Sequence, residues 1–169
     1  MQQVAYNKRQ WIACFAGGFL MDRIEKEENI IGYITLLSNK LAQFGDNILP
    51  DITFKQWFLL IMISKMEIRE KSLNSIAAFV GTSRQNIKKM LIPLENKGYV
   101  RVLKSELDAR ALKVELTEKS YRYFNDNADI TAQETNKLFG IFSIDEINSF
   151  IANLEKLAYS LSQYSERNL

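Results

Sequence analysis

Histidine is absent from the 169 residues, and cysteine occurs once, at Cys14. The first absence removes the commonest general base and the commonest metal ligand. The second excludes an intramolecular disulfide and any zinc site built on cysteines. Cys14 itself reads as an inert thiol, because no neighbour in sequence gives it a reason for a lowered pKa. Proline (2) and glycine (7) are too scarce for a turn-rich all-β fold and favour long helices. No P-loop, GxGxxG, HExxH or GxSxG pattern occurs. Carboxylates, lysines and tyrosines remain, but nothing arranges them into a reactive constellation. The expectation is therefore a protein that is not an enzyme and takes no cofactor and no metal. The longest apolar run, Trp11 to Met21, is too short and too rich in glycine to span a bilayer. No membrane partner is expected, and the expected location is the cytoplasm.

What is present is an ordinary globular composition, 47% hydrophobic and 25% charged. The net charge of +2 conceals an asymmetry. Between Arg84 and Lys113 stand eight basic residues, Arg84, Lys88, Lys89, Lys97, Arg101, Lys104, Arg110 and Lys113. Only Glu95, Glu106 and Asp108 oppose them, so this segment carries +5 and the remainder −3. A positive segment on a mildly negative body points to a localised site for a polyanion.

That segment has a marked local grammar. Ser83 is placed to cap a helix, and Gly98 to end it in a left-handed conformation. Between them Ile87, Leu91 and Leu94, with Met90 beside them, form one apolar stripe at helical spacing. Arg84, Gln85, Asn86, Lys88 and Lys89 crowd the other faces of the N-terminal half. Arg, Gln and Asn at an exposed helix start suit base edges in a DNA major groove. Taken alone, a solvated amphipathic helix explains these charges equally well. The flanks decide. Upstream, Ser72 caps a short helix with Leu73, Ile76 and Val80 facing inward, and Gly81-Thr82 makes a tight turn. Two short helices joined in this way form a helix-turn-helix. Downstream, Tyr99 to Lys104 and Ala111 to Leu116 alternate apolar and polar, as strands do, around a polar hairpin at 105–110. The whole is a winged helix.

Residues 28–45 read as a helix with Ile30, Ile31, Ile34, Leu37, Leu41 and Phe44 on one side and Gly45 at its end. A loop follows at 47–51. Thr53 and Gln56 form a capping box. They open a helix, Trp57 to Ile63, apolar nearly all round and therefore expected in the core; its aromatic neighbours lining a ligand cavity is the minority reading. Lys65 to Lys71 is a charged connector. After the wing, residues 117–142 suggest a long connecting helix broken near 125–129. Ser143 and Glu146 form another capping box before a last helix bearing Ile147, Phe150, Ile151, Leu154, Leu157 and Leu161. Residues 1–27 are an N-terminal extension. One reading makes 1–20 an amphipathic helix. The preferred one makes them translated leader ahead of a start at Met21, a question for N-terminal mass analysis.

The order of elements, and the residues within it, resembles the MarR family of bacterial transcriptional regulators from about residue 28 to the C-terminus. The resemblance rests on Thr53, Gln56 and Leu60, on Ile76-Ala77, and on Ser83 to Lys89. It extends to Leu94-Glu95 with Gly98, and to Asp108-Ala109-Arg110 followed by Leu116-Thr117-Glu118-Lys119. It implies a mainly α fold with a small two- or three-stranded antiparallel wing. The DNA-binding part would be 53–116, and 28–52 with 117–169 a helical dimerisation platform. It places Arg84, Gln85, Asn86, Lys88 and Lys89 in the recognition helix, Arg110 on the wing arginine that enters the minor groove, and Asp108 on the wing acid that helps hold that arginine or its neighbours. Two departures stand out. Ser105 occupies the position of an earlier wing acid, and Pro93 lies inside the recognition helix, where a kink is expected.

The resulting expectation is a homodimer that binds double-stranded DNA at a pseudo-palindromic operator. Ser83 joins the base-reading set, and Lys88, Lys89, Lys104 and Lys113 are the candidate phosphate contacts. No matched residue identifies a small-molecule effector. The alternative is a winged-helix adaptor that binds protein and not DNA.

Overall fold

The computed structural model describes residues 22–106 and 111–167 of the chain. Residues 1–21, including Cys14, and the wing tip at 107–110 lie outside the described residues. The chain divides into two compact units, Met1–Tyr123 and Phe124–Leu169.

The described residues of the first unit open with α1 (Arg23–Ile48), which starts earlier than the periodicity indicated. The reason is a capping box at Asp22 and Glu25: each side chain accepts the other residue's backbone N–H. Gly45 does not end the helix, as expected from sequence; it lies inside it and is buried. A Cβ there would sit 2.0 Å from the Phe54 ring, so glycine is required by close approach to the next helix. Asp46 Oδ1 accepts the Phe54 N–H at 2.6 Å, fixing the same junction.

Helix α2 (Phe54–Lys65) starts at the Thr53–Gln56 capping box anticipated from sequence. Leu59, Leu60 and Ile63 are fully buried. The expectation that this helix is enclosed on all sides needs correcting: Phe58 is 44% exposed, and Trp57, Ile61 and Met62 are half-buried. Among the described residues its outer side is only partly covered.

Helix α3 (Leu73–Val80) carries its Ser72 cap, and Gly81 follows with φ 73°. The Thr82 N–H then reaches Ala77 O at 2.9 Å, closing the turn into α4 (Arg84–Asn96). Pro93 does not break α4; the helix continues to Asn96, and the Lys97 N–H bonds Pro93 O at 3.1 Å. It stops at Gly98, φ 75°, with the Tyr99 N–H returning to Leu94 O at 2.8 Å.

Strands β1 (Val100–Lys104) and β2 (Leu112–Leu116) pair antiparallel, with Val102 opposite Val114. A third partner is only a single bridge, Ser72 to Lys113, with the Val114 N–H donating to Lys71 O at 2.8 Å. The core gathers Ile76, Ile87, Leu91, Leu94, Tyr99, Val100 and Val114 around α2. Helix α5 (Glu118–Asp126) begins directly after the hairpin, and buried Ser120 donates to Tyr99 O at 2.6 Å.

In the second unit, α6 (Ala128–Phe139) follows a break at Asn127, within the range expected for it, and buries none of its residues. Helix α7 (Ile144–Arg167) opens at Ser143, whose hydroxyl accepts the Glu146 N–H while the Glu146 carboxylate accepts the Ser143 N–H. That bond and the Ser143 hydroxyl hold the Glu146 carboxyl below its usual range. Phe150, Ile151, Leu154 and Leu161 are all exposed. No helix among the described residues is long and apolar enough to cross a membrane.

Candidate nucleic-acid interface

Helix α4 has two sharply different sides. Ile87 and Leu94 are fully buried and Leu91 is 2% exposed. Burial of such side chains stabilises by about 1.5–3 kcal/mol each, which fixes the rotation of the helix about its axis. The same rotation turns Ser83, Arg84, Gln85, Asn86, Lys88 and Lys89 outward; all six are exposed. Ser83 Oγ accepts the Asn86 N–H at 3.2 Å, and the Asn86 amide donates to Thr82 Oγ1 at 3.0 Å. Arg84, Gln85 and Asn86 lie in the first turn, where unpaired backbone N–H groups and the helix dipole favour anions. Among the described residues no cluster of His, Cys, Asp or Glu is placed to hold a metal ion.

The two candidate lysines of the hairpin strands differ in their surroundings. Lys104, at the end of β1, is exposed. Lys113 pairs across the sheet with Leu103, and Lys104 with Leu112. Strand alternation therefore puts the two lysines on opposite faces of the hairpin. The Lys113 side chain is only 13% exposed, with its ammonium 2.7 Å from Glu106 and 3.1 Å from Glu115. Hydrogen bonds to these two carboxylates push its pKa up. Asp108 and Arg110 lie outside the described residues.

The C-terminal end of α4 is tied to two distant parts of the first unit. Asp51 is the sole non-glycine with positive φ among the described residues, at 70°. Its carboxylate accepts the Tyr99 hydroxyl at 2.6 Å and Lys97 Nζ at 3.1 Å, with Lys119 Nζ at 3.9 Å. These partners, the tyrosine hydroxyl first, hold the Asp51 carboxyl below the ordinary carboxylate range. Lys97 also donates to the Asp51 carbonyl, and the Tyr123 hydroxyl to Pro50 O. Tyr99 and Tyr123 meet edge to face at 5.3 Å, and Lys119 Nζ lies 4.4 Å from the centre of the Tyr99 ring. Burial, assisted by the Asp51 charge, pushes the Tyr123 hydroxyl up to about 12; Tyr99 is raised also, chiefly by burial. Sequence reasoning passed over this knot. Its one signal was Asp51 directly after Pro50, a turn-forming pair.

No family model matches this sequence, and no curated protein is similar enough in sequence to match. Solved structures do match. A MarR/EmrR-family transcriptional regulator from Acinetobacter sp. ADP1 superposes with a TM-score of 0.68 at 21% identity, over 81% of this chain and 97% of that one. MepR of S. aureus, in a complex with DNA, gives 0.67 at 23% identity, over 76% and 94%. A mutant MarR of E. coli bound to operator DNA gives 0.69 at 20% identity, over 81% and 99%. Sequence identity to these structures is low, and the likeness is one of fold. The chain thus has the fold of the MarR-type transcriptional regulators, a winged helix-turn-helix with a helical extension.

Proposed function

We propose that this protein is a homodimeric, sequence-specific DNA-binding transcriptional regulator and not an enzyme. The observation that carries the proposal is the two-sidedness of α4. Its apolar stripe is buried while Ser83, Arg84, Gln85, Asn86, Lys88 and Lys89 all face solvent. In this reading α4 enters a major groove. Arg84, Gln85 and Asn86 read base edges, and Lys88, Lys89 and Lys104 contact phosphates. Arg110 enters the flanking minor groove, with Asp108 holding it. Lys113 is left out of the phosphate contacts, because its ammonium already sits between Glu106 and Glu115; its role is to brace the hairpin. Two of the structural neighbours are complexes with DNA, which supports the reading.

Dimerisation rests on a second observation. Ile30, Ile31, Ile34, Leu37 and Leu41 of α1 are exposed, and so are Phe150, Ile151, Leu154 and Leu161 of α7. Apolar faces of this extent call for a partner surface, and a second copy is the direct one. Two-fold symmetry then requires half-sites about one helical turn apart.

Selection of bound fragments from random DNA tests the proposal. The expected outcome is a pseudo-palindrome with that spacing. Arg84→Ala should cost about 1–3 kcal/mol on the selected site and relax preference at one position per half-site. Lys89→Ala should weaken all sequences alike and lower the salt slope by about one per subunit. An adaptor that ignores DNA would show no salt-dependent binding at all.

A further inference from the structure

The connector between α2 and α3 reads in sequence as a run of surface charge. One of its members is placed to do more. Glu70 reaches across 35 residues of chain to the root of the wing. Its Oε2 accepts the Ser105 hydroxyl, and its Oε1 accepts the Glu106 backbone N–H at 3.0 Å. One carboxylate therefore holds two successive residues where β1 gives way to the tip. The other root is held as well. The Ser105 N–H donates to Ala111 O at 3.0 Å, and Lys113 Nζ lies 2.7 Å from Glu106. The next residue, Lys71, accepts the Val114 N–H at 2.8 Å through its carbonyl. Ser72 bridges to Lys113, so the segment carrying Glu70 is itself stitched to β2.

We propose that Glu70 is the positioning residue of the wing. It sets the angle at which the hairpin leaves the winged helix, and through it the contacts the wing makes with nucleic acid. This rests on the DNA-binding reading above and deepens it. The chemistry is specific to a carboxylate at this point. A two-stranded hairpin is marginal on its own, and here its described strands share only five residue pairs. Ser105 cannot supply a charge to hold the hairpin from within; the hydroxyl instead donates to an acid brought from outside. A hydrogen bond to an ionised acceptor is roughly twice as strong as one between neutral groups. In this reading the effect of Glu70 on nucleic acid comes through its bonds to Ser105 and Glu106.

Three full-length proteins are compared as dimers: wild type, Glu70→Ala and Glu70→Gln. Glutamine keeps an acceptor for the Glu106 N–H and a polar partner for the Ser105 hydroxyl. Two readouts separate positioning from general stability. The first needs no DNA: amide hydrogen exchange at Glu106. Glu70→Ala should speed exchange there about tenfold or more, while amides of α4 keep their protection. The second is binding to the selected site and to the same site with altered flanking base pairs. Glu70→Ala should lose about tenfold in affinity and most of its sensitivity to the flanks, and keep its sensitivity at the positions read by α4. Glu70→Gln, which keeps one acceptor and loses the charge, should fall between wild type and Glu70→Ala in both readouts. Unchanged exchange at Glu106 in Glu70→Ala overturns the clasp. Altered exchange with unchanged flank sensitivity overturns its role in positioning. Failure of the wild type to bind any DNA sinks the functional reading instead, and the exchange result stands apart from it.

Discussion

Helices α4 and α7 are both amphipathic, yet they meet opposite fates within one chain. Helix α4 buries Ile87, Leu91 and Leu94 of its apolar stripe, while Leu154 of α7, at the centre of its stripe, is 42% exposed. The difference lies in what each unit contains. The first unit surrounds α4 with α2, α3 and β1, and together they close a core. The second unit offers α7 no such enclosure: α6 buries nothing, and Phe150 and Ile151 stay exposed beside Leu154. Among the described residues the core of the winged helix, the head of the molecule, is thus closed around α4, and α7 has no such core.

The comparison is sharpest under substitution. Leu94→Ala should destabilise folding by about 2–5 kcal/mol through a core cavity, read as a lowered denaturant midpoint at every protein concentration. Leu154→Glu should act elsewhere. It should weaken self-association by about 3 kcal/mol, roughly a hundredfold in sedimentation, and leave the circular dichroism of the head intact. Equal effects of both changes on unfolding of the dilute protein would erase the contrast. Within the head, Gly45→Ala should cost about 1–3 kcal/mol, because the new methyl group meets the Phe54 ring and something must shift. Thermal unfolding measures it, and Phe54→Leu in the same chain should recover part of the loss.

The smallest effect is a pH dependence. The Asp51 carboxyl is depressed in the folded state, so its contribution is present above the unfolded value and is lost as pH falls through the folded one. The side chain is 44% exposed, and solvent screening keeps the effect below about 1 kcal/mol. Asp51→Asn tolerates the left-handed backbone and removes the charge. It should flatten the acid limb of the stability curve below about pH 4, and leave stability at pH 11 to 12 governed by Tyr99 and Tyr123.

The head was largely legible in sequence, because its signals are local. A cap at Ser72, a left-handed Gly81, a cap at Ser83 and a stop at Gly98 act within a few residues and fell where the chain indicates. What could not be read was long-range. Gly45 looks like a helix end until Phe54 is seen against it. Glu70 looks like surface charge until Ser105 arrives beside it, and Lys113 looks like a free cation until two carboxylates flank it. The exposed side of α2 misled for a related reason: an all-apolar run announces burial but not how much of the helix distant elements cover. In the candidate interface, periodicity alone placed the α4 side chains, whereas the hairpin lysines depended on strand register, which composition does not carry.

The Asp51 knot has a consequence for how the chain is made. Pro50 and Asp51 leave the ribosome early, but the groups that seize them, Tyr99, Lys119 and Tyr123, follow much later, the last of them 73 residues on. A nascent chain halted after the hairpin could tie the end of α4 to Asp51 through Lys97 and Tyr99, but would lack Lys119, Ser120 and Tyr123, which complete the knot. The smallest fragment that folds as the head should therefore run past Tyr123, and one cut at residue 116 should expose the Tyr99 ring and tend to aggregate.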